Sequence, residues 1–278
     1  MDNLTDWIGR TAELSCWLDP WRAQALHATL DAPDAAPVAG DDLPACWHWG
    51  YFLETAPSRE LGPDGHPLRG GFLPPVPLPR RMWAGSRLEF FAPLALGVAA
   101  RRISQVMAVE EKAGRSGRLC FVTLRHEIFS PTALAIREEQ NIVYREASKA
   151  GAAGSPQRSP GDVQWERSWT LDTARLFRYS ALTFNSHRIH YDRDYALNEE
   201  GYPGLVIQGP LLAMLMLELV RERWPGRRVR QFEFRALAPL FDDGEPIRVC
   251  GITTGNIVSV WVVDRSGGLH MRGDVTCD

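Results

Sequence analysis

The sequence has little of what would hold a protein to nucleic acid. Its 31 lysine and arginine residues are balanced by 34 aspartates and glutamates, which gives a net charge of −3, and no stretch concentrates positive charge. Because a protein that neutralises phosphates needs such a surplus, we do not expect a nucleic-acid partner. Lys112 and Lys149 are the only lysines, so arginine carries nearly all of the positive charge and any single arginine is weak evidence for a site.

Paired cysteines and long apolar runs are also lacking. The five cysteines, at positions 16, 46, 120, 250 and 277, are odd in number and scattered. This argues against a disulfide framework and a thiolate metal site, and it fits a reducing compartment. The start, MDNLTDWIGR, has no apolar signal segment, and the longest apolar run, near 210–220, is about half a bilayer span. We therefore expect a soluble cytoplasmic protein with no membrane partner.

The first half of the chain is predicted to contain one helix followed by four strands. Asp19 is the expected N-cap of a helix that begins at Pro20 and ends near Leu30. The segment 56–81 is rich in proline and glycine, so it can form neither a helix nor a central strand and is expected to be a binding loop, a lid or a linker. Runs of β-branched and aromatic residues then predict strands at 82–91, 98–110, 118–129 and 133–144.

The second half repeats this plan after a flexible linker, 151–162. Asp172 can cap a helix that runs to about Tyr179, and an apolar helix is predicted from Gly209 to Arg223. Strands are predicted at 229–234, 246–253, 257–264 and 269–275. The segment 88–97 (LEFFAPLALG) resembles 232–244 (FEFRALAPLFDDG) at the same point of the order, which favours an internal duplication over chance.

The segment Phe184–Asp192, FNSHRIHYD, is the most informative about chemistry. It places Asn185 five residues before His190, and the apolar helix begins at Gly209. The first amides of a helix are unpaired and can stabilise a developing enolate oxygen. A histidine close to that oxygen can move protons at neutral pH. The pattern therefore indicates acid–base chemistry on a carbonyl compound.

This segment, together with 202–212 (YPGLVIQGPLL), resembles the MaoC-like hot-dog hydratases. It is most similar to the branch of fungal-type 3-hydroxyacyl-thioester dehydratases and bacterial mesaconyl-CoA and itaconyl-CoA hydratases. The similarity extends to 7–10 (WIGR), 64–67 (DGHP) and 70–85 (GGFLPPVPLPRRMWAG), and so covers most of the chain.

The resemblance implies an α+β double hot-dog fold, in which two antiparallel sheets are each wrapped round a central helix. The expected domains are 1–150, a non-catalytic hot-dog with the acyl-CoA pocket, and 163–278, a hot-dog with the hydratase motif. A homodimer is also implied.

The same resemblance implies roles for three residues. His190 is the expected acid/base, Asn185 stands where the family usually has an aspartate, and the Gly209 amide is the expected oxyanion donor. Because an amide side chain cannot exchange protons at neutral pH, either His190 performs both proton transfers or another acid assists. Gln208 is a second departure, at a position where the family often has histidine.

Several candidate residues have alternative interpretations. Arg188 is a candidate for binding a second substrate carboxylate, and a salt bridge to a neighbouring aspartate fits the sequence equally well. Arg80 and Arg81 are candidates for holding coenzyme A phosphates, or they merely solvate the loop. Asn185 could be a simple turn former.

Among the remaining polar residues of the motif, His187 is expected to be structural or to face the substrate. His187 and His190 could be metal ligands, but they lack a carboxylate or thiol at suitable spacing, so we expect no metal. No cofactor is expected beyond the coenzyme A of the substrate. Asp194 is predicted to cap a short helix, and Asp192 is an alternative candidate for assisting the acid–base step.

These observations predict an acyl-CoA hydratase. It would add water reversibly across the 2,3-double bond of a short branched dicarboxylic enoyl-CoA, of the itaconyl-CoA or mesaconyl-CoA type. One alternative is a 3-hydroxyacyl-ACP or 3-hydroxyacyl-CoA dehydratase of fatty-acid metabolism. The other is a catalytically inactive acyl-CoA-binding module, which the asparagine at position 185 supports.

Overall fold

A computed structural model describes residues 3–114, 117–146 and 156–278. We refer to the part up to residue 146 as the first half and to the part from residue 156 as the second half. Residues 151–155 of the expected linker lie outside the described residues, and the expectation is wrong at Gln157–Arg158, which form a short strand.

Strands dominate both halves. The first half contains β1 (Thr11–Trp17), α1 (Pro20–Leu30), β2 (Arg80–Phe90), β3 (Ala99–Gly114), β4 (Gly117–Phe129) and β5 (Leu134–Arg145). The second half contains β6 (Gln157–Arg158), β7 (Trp165–Trp169), α2 (Thr173–Leu182), α3 (Arg193–Asn198), α4 (Gly209–Arg223), β8 (Val229–Ala236), β9 (Ile247–Thr254), β10 (Ile257–Val263) and β11 (Gly268–Cys277). Short 3-10 turns occur at Leu4–Trp7, Trp47–Gly50, Ser58–Glu60 and Arg188–His190.

The strands form one antiparallel sheet in the order β1-β3-β4-β5-β2-β8-β11-β10-β9-β7, and β6 pairs with β11. Counted outward from the central pair β2–β8, the two halves have the same strand order. Leu88 of β2 lies opposite Phe232 of β8. The two segments that resemble each other in sequence therefore pair with each other at the centre of the sheet.

The structure confirms the predicted ends of α1 and α4 and corrects two other elements. Asp19 caps α1 by accepting a hydrogen bond from the Trp21 amide (3.0 Å). Helix α2 runs beyond Tyr179 to Leu182. The prediction that Asp194 caps α3 is wrong, because the Asp192 side chain accepts the Tyr195 amide hydrogen bond (3.0 Å).

The sequence interpretation also missed β1 and β7. Each is the outermost strand of its half, β1 beside β3 and β7 beside β9. Both strands alternate between exposed and partly buried residues over most of their length, as edge strands do.

The two halves differ in what covers the sheet. In the second half, every residue of α4 from Leu211 to Val220 is buried, and the helix packs against β7, β9, β10 and β11. In the first half, α1 packs chiefly against α2 and the turn Trp47–Gly50. The second half therefore matches the expectation of a long helix on its own sheet. In the first half, side chains of β4 and β5 line a cavity instead. No helix in the described parts of the chain has the length and apolar character needed to cross a bilayer.

Candidate active site

A cavity of about 1820 Å³ lies between the two halves. The second half contributes the residues that the sequence singled out, Asn185, His187, His190 and Gly209. The first half contributes aromatic and polar side chains of the sheet, of the turn Trp47–Gly50 and of the proline-rich loop. They include Trp49, His66, Arg81, Trp83, His126 and Tyr144. The four candidates named from the second half, together with Arg80 and Arg81, therefore line one space that both halves enclose, whereas Arg188 is not among its lining residues.

Asn185 follows the end of α2 through a tight backbone reversal. Phe184 adopts a left-handed conformation (φ 50°), and the Asn185 amide donates a hydrogen bond back to the Ser180 carbonyl (2.8 Å). The Asn185 side-chain oxygen accepts a hydrogen bond from the His187 amide (3.1 Å). The structure therefore shows the turn-forming function of Asn185. Its side-chain nitrogen makes no hydrogen bond to the described residues.

His190 is held as a neutral imidazole with one nitrogen left free. Because a carbonyl only accepts, His190 Nδ1 carries the proton that it donates to the Val206 carbonyl oxygen (2.7 Å). The other nitrogen, Nε2, makes no hydrogen bond within the described chain. Burial, with a smaller contribution from the nearby charge of His66, lowers the pKa of His190 to about 4 against the raising effect of the Val206 carbonyl. His190 therefore presents a basic nitrogen at neutral pH.

Gly209 lies three residues after Val206 and begins helix α4. Its amide hydrogen has no acceptor among the described residues, as expected at the first position of a helix. The Gln208 side chain is buried and donates to the Leu176 carbonyl and the Ser180 hydroxyl (both 3.0 Å). Gln208 thus anchors the start of α4 to α2 and leaves the Gly209 amide free. The base and the amide are held by one short segment, Val206–Gly209.

The proline-rich loop docks directly on the motif. The Arg188 amide donates to the Asp64 carbonyl (2.9 Å). Gly65 has a φ of +87°, and a Cβ atom on it would lie 1.9 Å from the Ser186 carbonyl oxygen. Only glycine permits this approach. Segment 56–81 was expected to be a binding loop, a lid or a linker. The structure places its residues 63–66 against the candidate site.

This docking brings two further residues to the site, Asp64 and His66. His66 Nδ1 and an Asp64 oxygen are 2.9 Å apart, the rings of His66 and His187 have centroids 4.0 Å apart, and those of His187 and His190 are 5.4 Å apart. The motif DGHP was noted in the sequence without a role. Pairing it with the histidine motif required a contact between segments 121 residues apart.

Charges around these rings favour the neutral imidazoles. Burial and the positive charge of Arg81 lower the pKa of His66. Burial, His66 and His190 lower the pKa of His187, with a smaller lowering effect from Arg81. Burial opposes the ionisation of Asp64, but the hydrogen bond and charge of His66 outweigh it, so the pKa of Asp64 lies well below its usual range.

Asp64, His66 and His187 also offer ligand atoms within 4.8 Å of one another, a grouping that could hold a metal ion. The sequence interpretation found no carboxylate for such a site. The positive charge of Arg81 beside these residues opposes cation binding. The absence of a metal stays a prediction.

The three candidate arginines have different surroundings. Arg188 donates two hydrogen bonds to one carboxylate oxygen of Asp192 (2.9 and 2.8 Å), which is the salt-bridge alternative. Arg80 pairs with the Glu200 carboxylate (3.0 Å). Arg81 makes no ion pair with any described residue and lines the cavity. Of the three, Arg81 alone keeps a guanidinium available to a ligand in the described structure.

The fold is that of a double hot-dog protein. A Mycobacterium tuberculosis protein described as having a double hotdog fold superposes with a TM-score of 0.58, at 14% identity, over 98% of this chain and 96% of that one. The strand order and the buried helix α4 agree with this class, and the expected α+β fold is confirmed.

Sequence comparison places the chain more finely. The family model of hydroxyacyl-thioester dehydratase type 2 matches residues 46–242. The chain is 50% identical over 270 residues to mesaconyl-C(4)-CoA hydratase of Chloroflexus aurantiacus, covering 97% of this chain and 96% of that protein. It is 30% identical over 236 residues to the mitochondrial hydroxyacyl-thioester dehydratase type 2 of Schizosaccharomyces pombe, covering 76% and 78%. The chain belongs to the hydroxyacyl-thioester dehydratase type 2 family.

The resemblance that the sequence suggested is therefore confirmed. The relatives are named as a hydratase and as dehydratases, which add or remove water, and this protein is accordingly a hydro-lyase.

Proposed function

We propose that the protein adds water reversibly to the double bond of a short branched dicarboxylic enoyl-CoA, of the mesaconyl-CoA or itaconyl-CoA type. The observation that supports this most directly is the hydrogen bond from His190 Nδ1 to Val206, which leaves Nε2 free. The unpaired Gly209 amide lies three residues further along the same segment. A base and an oxyanion donor in one cavity are what hydration of an enoyl thioester requires.

In the proposed reaction His190 acts twice. Its Nε2 takes a proton from water as the water oxygen bonds to C3, and the electrons of the double bond move to the thioester oxygen. The Gly209 N–H stabilises this enolate oxygen by a hydrogen bond. His190 then returns the proton to C2, so that one water is added and the enzyme is regenerated.

Asn185 has a supporting part in this reaction. Its oxygen is occupied by the His187 amide, but its side-chain N–H groups can donate to the attacking water. Neither a metal nor a redox cofactor takes part in the proposed steps, and coenzyme A enters as part of the substrate.

We assign the chemistry to the second half and the acyl pocket to the first half. His190 and Gly209 belong to the second half, whereas Trp49, Trp83 and Tyr144 of the first half line the cavity. The name of the Chloroflexus aurantiacus relative supports a dicarboxylic substrate, since mesaconate is a methyl-substituted unsaturated diacid.

The test is turnover of defined substrates by the purified full-length protein. Mesaconyl-CoA, itaconyl-CoA and crotonyl-CoA are incubated separately, and mass spectrometry follows the gain of one water. We expect hydration of a dicarboxylic thioester at a kcat/KM at least about tenfold above that of crotonyl-CoA. Turnover of crotonyl-CoA alone would remove the dicarboxylic assignment, and no turnover of any substrate would remove the hydratase.

A second candidate is dehydration of a 3-hydroxyacyl thioester, which the family model and the Schizosaccharomyces pombe relative favour. It is the reverse of the same chemistry and needs the same residues. A 3-hydroxybutyryl thioester presented on coenzyme A and on acyl carrier protein separates the two. Preference for the carrier-protein form over mesaconyl-CoA would favour this candidate.

A further inference from the structure

Two of the five arginines that line the cavity, Arg81 and Arg145, differ from the other three because neither has a carboxylate or carbonyl partner among the described residues. Arg80 is paired with Glu200, Arg102 lies 3.6 Å from Glu54, and Arg69 donates to backbone carbonyls of its own loop. Arg81 is only partly exposed and has no anionic or carbonyl partner among the described residues. A partly buried guanidinium without a partner is unfavourable, and an anion in the cavity would satisfy it.

The residue opposite Arg81 also has an unused donor. Arg81 of β2 is in register with Tyr144 of β5, and directly opposed residues of antiparallel strands point to the same face of the sheet. The Tyr144 side chain is fully buried, and its hydroxyl has no hydrogen-bond partner in the described structure. Burial raises the pKa of Tyr144 against the lowering effect of the Arg81 guanidinium beside it, so the hydroxyl keeps its proton. The Arg81 guanidinium and the Tyr144 hydroxyl are therefore neighbours, and neither meets an anion among the described residues.

Arg81 lines the same cavity as His66, His187 and His190. The charge of Arg81 lowers the pKa of both His66 and His187, whose rings are in contact with each other, and the His187 ring lies 5.4 Å from that of His190. The anion that Arg81 binds would accordingly lie beside the reacting carbons. The phosphates of coenzyme A are separated from the thioester by the whole pantetheine arm, so they do not fit this position.

Mesaconyl-C(4)-CoA has its free carboxylate in the required place. In a methyl-substituted unsaturated diacid bound to coenzyme A through the carboxyl remote from the methyl group, the free carboxylate is attached to C3. C3 is the carbon that receives the hydroxyl group, so this carboxylate must lie within a few bond lengths of the acid/base imidazole.

We propose that Arg81 determines substrate specificity by binding the free carboxylate on C3 of the acyl group, with the Tyr144 hydroxyl as a second donor. This inference rests on the proposed hydratase function and gives the carboxylate a binding site. It replaces the expectation that Arg81 holds coenzyme A phosphates. A guanidinium suits this task because it grips a carboxylate through two parallel hydrogen bonds.

The test compares binding of two unreactive thioesters that differ in one group. Methylsuccinyl-CoA, with coenzyme A on the carboxyl remote from the methyl group, carries the carboxylate, and isovaleryl-CoA has a methyl group in its place. Titration calorimetry of the full-length protein should show that Arg81→Met weakens methylsuccinyl-CoA about 100-fold, because a buried charge loses its partner. Isovaleryl-CoA should bind within about threefold of its wild-type affinity.

Two further variants make the result specific. Arg87→Met changes an exposed arginine of the same strand outside the cavity and should leave both affinities unchanged. Tyr144→Phe should weaken methylsuccinyl-CoA alone by about tenfold, the effect of one hydrogen bond to a charged group. An unchanged affinity in this variant would remove Tyr144 from the subsite.

The outcomes separate the subsite from the function. Equal weakening of both thioesters by Arg81→Met would contradict the subsite and support a role in holding coenzyme A. Unchanged methylsuccinyl-CoA binding would also overturn it. If the wild-type protein hydrates mesaconyl-CoA and Arg81→Met does so with the same KM, the subsite is wrong while the hydratase stands. If the wild-type protein hydrates crotonyl-CoA alone, the dicarboxylic function itself is wrong.

Discussion

The two halves of the molecule share a strand order but use the space above the sheet differently. The second half fills it with α4, whose residues from Leu211 to Val220 are all buried. In the first half, the space above the sheet contains a cavity, buried polar side chains and a docked loop. Glu138, for example, accepts hydrogen bonds from Ser86 and Trp49 at the cavity wall. The same topology therefore supports two tasks. In the second half the packed helix positions reacting groups, and in the first half the sheet without a packed helix leaves room for a ligand.

The largest effect on activity is expected when the imidazole of His190, in the second half, is removed. His190→Ala should lower kcat about 10²–10⁴-fold, because a positioned acid/base contributes that much. Substrate hydration by the purified variant is the measurement, with circular dichroism to show that the fold is retained. His27→Ala, on α1 and outside this cavity, is the control. A His190 variant that keeps more than about a tenth of wild-type activity contradicts the acid–base role.

A smaller effect on activity is expected from a change where the proline-rich loop of the first half contacts the second half. Gly65→Ala puts a Cβ atom against the Ser186 carbonyl in a left-handed backbone, so the loop that carries Asp64 and His66 must move. We expect kcat/KM to fall about 10–100-fold, in line with the cost of misplacing site residues.

Gly71→Ala is the matched control for this loop. An added Cβ at Gly71 meets no atom within 4 Å, and its φ is not left-handed. This variant should keep wild-type kinetics. Similar kinetics for the two variants would show that docking of residues 63–66 is not needed for activity.

The smallest expected change is a shift of the pH profile of kcat/KM. Burial lowers the pKa of His190 to about 4, from an ordinary value near 6.5. The neutral base therefore persists as pH falls, and the acid limb of kcat/KM should lie near pH 4. Rate measurements between pH 3.5 and 8, with circular dichroism at each pH, test this. A limb near pH 6.5 would show that His190 is solvated or is not the base.

Stability should respond to the same shift with a defined sign. Because the folded-state pKa of His190 is lowered, the unfolded chain binds more protons between pH 6.5 and 4, and stability is lost as pH falls through that window. His66 and His187, whose pKa values are also lowered, add to this loss.

Local signals in the sequence predicted much of the fold. The helices α1 and α4 begin where Pro20 and Pro210 occupy the first turn, and their predicted ends agree with the structure. The strands β1 and β7 were missed because they are partly polar and because each is paired with a strand distant in the chain. Such pairing leaves no local periodicity strong enough to detect.

The candidate site was predictable to the same extent. The motif identified Asn185, His190 and Gly209, which the structure brings to one cavity. It could not show that Arg188 and Arg80 are paired with Asp192 and Glu200, since an ion pair depends on how side chains meet in space. Asp64 and His66 were missed as site residues for the same reason, because a loop docks according to the surface that it meets. The catalytic roles themselves stay predictions.

The four residues from Val206 to Gly209 have a practical consequence for engineering. The carbonyl at one end accepts the hydrogen bond of the His190 imidazole and the amide lies at the other end, so the spacing of the two groups depends in part on this stretch. Redesign of the wall formed by the first-half strands would alter which acyl groups enter without changing that spacing. Libraries aimed at new thioesters should therefore vary the wall and keep this tetrapeptide intact.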